Sequence, residues 1–149
     1  MQLTRADLQQ IAAQAALKYG VPVFVFLKQI EIESAWNERA YNTQSHATGI
    51  GQWLPPDAKQ PGFGVKPFDP TNPVQSLFSS AQYVAAMFKK FGAWDKALWA
   101  YNAGVGNIER GDLRLVSRDY MLLGHFAASI GNLTLPTPTV EPAAAEPVT

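Results

Sequence analysis

The chain has 149 residues and 47% hydrophobic content, enough to bury one ordinary core, and is most simply a single folded domain. Lys plus Arg and Asp plus Glu each total 12, so no net field points to nucleic acid or to a membrane surface. Cysteine is absent, which excludes disulfides and thiolate metal sites, and two isolated histidines, His46 and His125, point away from a histidine-only site.

The N-terminus, Met1-Gln2-Leu3-Thr4-Arg5-Ala6-Asp7, lacks the apolar run of a secretory signal, and no stretch approaches the roughly 20 apolar residues of a membrane span. Work outside the cytoplasm would then need another carrier. Thr4 with Asp7 three residues on has the pattern of a capping box. Leu8, Ile11, Ala12, Ala15 and Tyr19 follow at helical spacing until Gly20, predicting a first helix over residues 5 to 19.

Pro22 suits the first turn of a second helix that frays near Asn37. It is apolar on nearly every side, which marks it as the central helix of an α-helical bundle. Phe26, Gln29, Ile30, Glu33 and Trp36 share one of its faces at 3.6 residues per turn, so Glu33 emerges beside large apolar groups. Such surroundings push a carboxyl toward its protonated form, the state that general-acid chemistry needs at neutral pH. The plainer reading of Glu33 is a partner for Lys or Arg, or a fringe of the helix end.

From Glu38 to Pro73 the periodicity gives way to Gly, Pro, Asn, Ser and Thr, and so long an irregular region in a compact domain reads as the wall of a cleft. A helical turn is expected around residues 50 to 54, with room for one small two-stranded piece. Asn72-Pro73 then caps an amphipathic helix carrying Leu77, Phe78, Ala81, Val84, Ala85, Phe88 and Phe91, closed by Gly92. A shorter helix over residues 93 to 103 ends in Tyr101-Asn102-Ala103-Gly104-Val105-Gly106. The last helix starts at Ser117 and runs through Tyr120, Leu123 and Phe126 to Gly131. Residues 132 to 149, rich in Pro, Ala and Thr, read as a linker or disordered tail, leaving 1 to 131 as the domain.

Three separated pieces resemble, in order and approximate spacing, the signatures of the soluble-type lytic transglycosylases. They are Glu33-Ser34-Ala35-Trp36-Asn37, Ala47-Thr48-Gly49-Ile50-Gly51-Gln52-Trp53-Leu54-Pro55 and Ala100-Tyr101-Asn102-Ala103-Gly104. The resemblance implies an all-α, lysozyme-like domain with a cleft that cleaves bacterial peptidoglycan, and it implies no metal or cofactor. Glu33 matches the family's single catalytic acid, and Tyr101 with Asn102 matches the pair that faces it. The Tyr101 hydroxyl is then expected to hold the Glu33 carboxyl in register. Ser34, Ser45, Gln52, Leu54, Asn102 and Tyr120 are the candidate substrate contacts. Gln52 is neutral and bidentate and suits acetamido and hydroxyl groups, although it equally suits capping of loop backbone. Gly49, Gly51, Gly104 and Gly106 are assigned to backbone geometry.

Several positions depart from the family pattern. The loop between Ala40 and Gly49 is one residue longer, so the family's serine falls at Asn42 or Ser45. His46 stands where glycine is usual, and Gly51 replaces methionine. The family's sugar-contacting glutamate aligns with Val116, with Glu109 as a stand-in. The Gly49-Ile50-Gly51-Gln52 form is similar to members from bacteriophage virions, which implies a virion-borne or phage-encoded protein acting on the cell wall, with peptidoglycan strands as its substrate and other virion proteins as neighbours. As an isolated domain it is expected to be a monomer. A hydrolytic lysozyme is the nearest rival and would want a second carboxylate, for which Asp57, Asp69 and Asp119 are the candidates. A non-catalytic wall-binding or virion structural module is the rival of another class.

Overall fold

The computed structural model describes residues 2–130; the tail expected over 132 to 149 lies outside the described residues, as does Gly131 at the expected end of the last helix. The first helix, α1 (Arg5–Tyr19), begins with the reciprocal cap foreseen from its sequence. Thr4 Oγ1 accepts from the Asp7 amide at 3.1 Å, and Asp7 Oδ2 accepts from the Thr4 amide at 2.9 Å. Ala12, Ala15 and Ala16 are fully buried, and these small side chains let α1 lie close along α4 (Pro73–Phe91). The Asn72 side chain caps α4 by accepting from the Gln75 amide, with Pro73 in the first turn.

Helix α2 (Val23–Ser34) buries Val25, Phe26, Gln29 and Ile30, yet Phe24 is 53% exposed and Lys28 faces solvent. It is not the central helix of the bundle. The helices pack in a closed ring, in which α1 meets α4, α4 meets α5 (Trp94–Ala103), α5 meets α7 (Arg118–Ile130), α7 meets α2, and α2 returns to α1. An apolar run can be covered by two neighbours and still leave one side open, which is why all-round hydrophobicity over-read the burial of α2. Helix α5 comes nearer that description, with Ala97, Leu98, Trp99 and Ala100 buried in succession. Trp36 does not extend the α2 face either. The helix stops at Ser34, Ala35 and Trp36 take left-handed φ of 49° and 67°, and Trp36 is buried through tertiary packing.

Between α2 and α4 the chain is irregular, as expected, and forms isolated antiparallel bridges (Tyr41 with Thr48, Thr48 with Trp53, Gly62 with Val65) with no strand among the described residues. The helical turn expected over 50 to 54 lies instead at α3 (Pro55–Lys59). The Thr48–Trp53 pairing draws residue 53 into extended backbone, and Pro55 and Pro56, which lack amide protons, supply the first turn that follows. A short α6 (Val105–Glu109) follows α5; five residues with Gly106 inside give no readable periodicity.

Candidate active site

The last turn of α2, the 42–54 loop, α3 and the end of α5 enclose a cleft of about 640 Å³, within the roughly 300–1,000 Å³ typical of ligand sites. Of the residues singled out from sequence, Glu33, Ser45, Gln52, Leu54, Tyr101 and Asn102 line it. Ser34 does not; its hydroxyl donates back to the Ile30 carbonyl at 3.3 Å.

Glu33 is partly buried, and loss of hydration lifts its carboxyl from an ordinary 4.5 to about 7, against the pull of a hydrogen bond from Tyr120. That hydroxyl donates to Glu33 Oε2 at 2.6 Å. The phenol that grips the acid is therefore Tyr120 of α7 and not Tyr101. With 1% of its surface exposed, Tyr120, expected as a substrate contact, is not among the residues that line the cleft. Its proton is held well above the usual phenol range by burial, then by the Glu33 charge.

Tyr101 feels the same charge, after burial the second influence that raises its proton affinity, but its hydroxyl is engaged elsewhere. It donates to the Gly51 carbonyl at 2.6 Å and lies 3.1 Å from Ser80 Oγ, which accepts from Trp53 Nε1 at 2.8 Å. With Tyr101 donating to Gly51 and Trp53 to Ser80, the Ser80 proton falls to the Tyr101 oxygen, so the Tyr101 and Ser80 hydroxyls are both paired. Gly51 is needed there because a Cβ would lie 2.6 Å from Ser80 Oγ and 2.8 Å from Ser76 Oγ. The rings of Tyr101 and Tyr120 lie nearly parallel, 6.4 Å apart, so α5 and α7 present two phenols in register, one to the loop and one to the acid.

Gln52 sits at φ 54°, a region that costs a non-glycine residue on the order of 1 kcal/mol. Its amide nitrogen compensates by donating to the carbonyls of Gly49 (2.9 Å) and Ala40 (3.1 Å). Backbone capping thus occupies one end of the amide and leaves the oxygen for a ligand. Asn102 Oδ1 accepts from the Ser117 amide at 2.8 Å and ties the end of α5 to the start of α7. Asn42 and Ser45, the alternatives for one family position, both line the cleft, and both side-chain oxygens accept from loop amides.

Sequence reasoning missed Trp53, Phe63 and Tyr83, which line the cleft as edge-on aromatic neighbours. Ring contacts between α4 and a loop leave no periodic trace. Among the candidate second carboxylates, Asp57 lines the cleft, whereas Asp69 is folded onto Thr71 and Asp119 lies in the first turn of α7. Glu109 does not replace the family's glutamate, since it pairs with Lys90 at 3.2 Å outside the cleft. Among the described residues no three His, Asp or Glu side chains converge as a metal site would require.

Tyr120→Phe should leave the fold in place and raise the pH at which Glu33 loses its proton, because the hydrogen bond from Tyr120 is what favours the carboxylate. A side-chain carboxyl 13C titration reads this directly; a midpoint that stays put or falls contradicts the assigned contact.

A family model described as "Transglycosylase SLT domain" matches residues 10–115 of the chain, from within α1 to just before α7.

Proposed function

From a chain that belongs to the transglycosylase SLT domain family, whose domains act on peptidoglycan, we propose a lytic transglycosylase that cleaves the β-1,4 bond from N-acetylmuramic acid to N-acetylglucosamine. The supporting observation is Glu33, a carboxyl poised near neutrality in a cleft and steadied by a buried phenol. Protonated Glu33 gives its proton to the glycosidic oxygen as the bond from that oxygen to C1 breaks, releasing the N-acetylglucosamine hydroxyl. The acetamido oxygen of the muramoyl sugar shields C1 meanwhile, as in substrate-assisted glycosidases. The Glu33 carboxylate then takes the proton of the C6 hydroxyl, and O6 closes on C1 as a 1,6-anhydro ring. One carboxyl acts twice and no water is consumed.

Tyr120 keeps Glu33 oriented through both steps, while Tyr101 acts through the loop, anchoring the Gly51 carbonyl beside Gln52. The Gln52 amide oxygen, Asn102 and Leu54 are the proposed sugar contacts. Asp57 in the cleft wall supports a second reading, a hydrolase with two carboxylates. A non-catalytic wall-binding module is the third, and it has no use for a carboxyl held near neutrality. The glycine-rich loop form favours delivery by a virion; among the described residues no helix is long and apolar enough to cross a membrane.

Mass analysis of digested peptidoglycan separates the readings. Muramoyl ends lighter by one water are expected; hydrated reducing ends, with activity lost in Asp57→Asn, would make the protein a hydrolase, and wall binding without soluble fragments would make it a binding module.

A further inference from the structure

Five non-glycine residues among those described take left-handed φ, and in four of them the conformation has a visible compensation. Ala35 is a small helix cap, Trp36 is buried, His46 is bonded through Nδ1 to the Tyr41 hydroxyl at 2.6 Å, and Gln52 is held by its amide. Phe63 has none of these. At φ 55° it is 47% exposed, with a side chain that cannot hydrogen-bond. It lies between Gly62 (φ 72°) and Gly64 (φ 83°), and the Val65 amide donates to the Gly62 carbonyl at 3.0 Å, the pattern of a type I′ turn whose first central position favours Asn. An exposed apolar side chain is ordinary by itself. A bulky one at positive φ is a true outlier, of the kind that gathers at ligand clamps.

The turn is anchored from two sides. Val65 is buried at its base, and Gln82 of α4 donates from Nε2 to the Gly64 carbonyl at 3.3 Å. The Phe63 ring stands edge-on to Tyr83 at 5.8 Å, Tyr83 edge-on to Trp53 at 5.3 Å, and Trp53 edge-on to Tyr101 at 5.8 Å. A row of rings thus runs along the cleft from Tyr101 to Phe63, passing between the proposed sugar contacts Gln52 and Leu54 at Trp53. Asp57 of α3 shares this lining and makes no ion pair or side-chain hydrogen bond among the described residues, so its oxygens are open to a donor.

We propose that Phe63 is a specificity-determining platform for the glycan strand: its exposed ring stacks on the apolar face of an N-acetylaminosugar away from the bond that is cut, and Asp57 accepts from hydroxyls of the same strand. A pyranose carries C–H groups on its faces and hydroxyls at its rim, so a ring surface with a few polar groups beside it matches a sugar. Because the turn is already fixed, the platform needs no ordering when the strand arrives. The backbone strain at Phe63 is then a cost in stability that serves binding.

The inference rests on the cleft as a site for peptidoglycan strands, but its test reads binding without turnover, so it can fail or stand whether the wall digest shows a transglycosylase or a hydrolase. The probes are the trimer and the hexamer of β-1,4-linked N-acetylglucosamine, which carry no peptide, titrated calorimetrically into the Glu33→Gln protein. Adding Phe63→Asn should weaken hexamer binding about tenfold, weaken the trimer by less, and leave the melting temperature equal to or above that of the Glu33→Gln parent, since Asn suits the turn. Phe63→Trp should restore the hexamer affinity. Hexamer binding unchanged by Phe63→Asn overturns the proposal, including the case in which only peptide-bearing strands lose affinity, as does absence of hexamer binding in the parent. Equal loss for trimer and hexamer, or a loss that Trp does not recover, also overturns it. A fall in melting temperature on Phe63→Asn would make the ring a packing element of the Tyr83 wall and overturn it as well.

Discussion

Glu33→Gln should cut release of soluble peptidoglycan fragments by at least about 10³-fold and, in the same molecule, make the fold more stable above neutral pH. The first effect follows because a single carboxyl is assigned both proton transfers, and positioned acid–base groups are worth about 10²–10⁴ each in rate. The second follows from linkage. The folded protein holds the Glu33 proton up to about pH 7, whereas the unfolded chain releases it near 4.5. Between those values the folded state binds more protons, so rising pH removes stability, and the loss is complete above about pH 7. A shift of that size corresponds to about 3 kcal/mol at most. Glutamine keeps the acceptor for Tyr120 and carries no charge, so its melting temperature should match wild type near pH 4.5 and exceed it at pH 8. Thermal melts at the two pH values, run beside a fragment-release assay, check both halves. A variant that is inactive but less stable at pH 8 would mean that Glu33 is an ordinary structural carboxylate, and one that is stabilised but active would mean that another group does the chemistry.

Gly124→Ala should destabilise the protein by about 1–3 kcal/mol, the usual cost of forcing atoms into a packed core. Helix α7 crosses α5 at this residue, and a Cβ there would lie 2.3 Å from Trp99 Nε1 and 2.6 Å from Cε2. The indole cannot swing aside, being buried and bound through Nε1 to the Tyr120 carbonyl at 2.8 Å. Relief must come from α7, which carries Tyr120 and therefore the grip on Glu33. Fragment release should fall together with melting temperature. Trp99→Phe introduced into Gly124→Ala makes room and should recover part of the stability, but not the contact with the Tyr120 carbonyl. A Gly124→Ala protein that melts like wild type would show that the α5–α7 crossing is looser than its geometry implies.

The helices were largely legible in advance because their signals are local. Thr4 with Asp7, Asn72 with Pro73, and the stops at Gly20 and Gly92 are capping chemistry that a few residues dictate, and α1 and α4 begin and end where that chemistry places them, whereas α5, which no side chain caps, starts at Trp94, one residue later than expected. The loop region was recognised as a region but not resolved, since its order comes from the Thr48–Trp53 pairing, the Trp53 bond to Ser80 and the Gln52 amide, all of which join distant or irregular positions.

The acid at Glu33, its apolar setting, the three motif segments and the all-helical fold follow from the chain's own residue order, because spacing along a helix decides which side chains share a face. Which phenol holds that acid does not follow. Tyr101 stands within a motif and Tyr120 eighty-seven positions from Glu33, yet closure of the helix ring through the α2–α7 and α5–α7 contacts puts the second hydroxyl on the carboxyl and hands the first to Gly51. A hydrogen bond reaches about 3 Å and is indifferent to distance along the chain, so its partner is chosen by how helices pack.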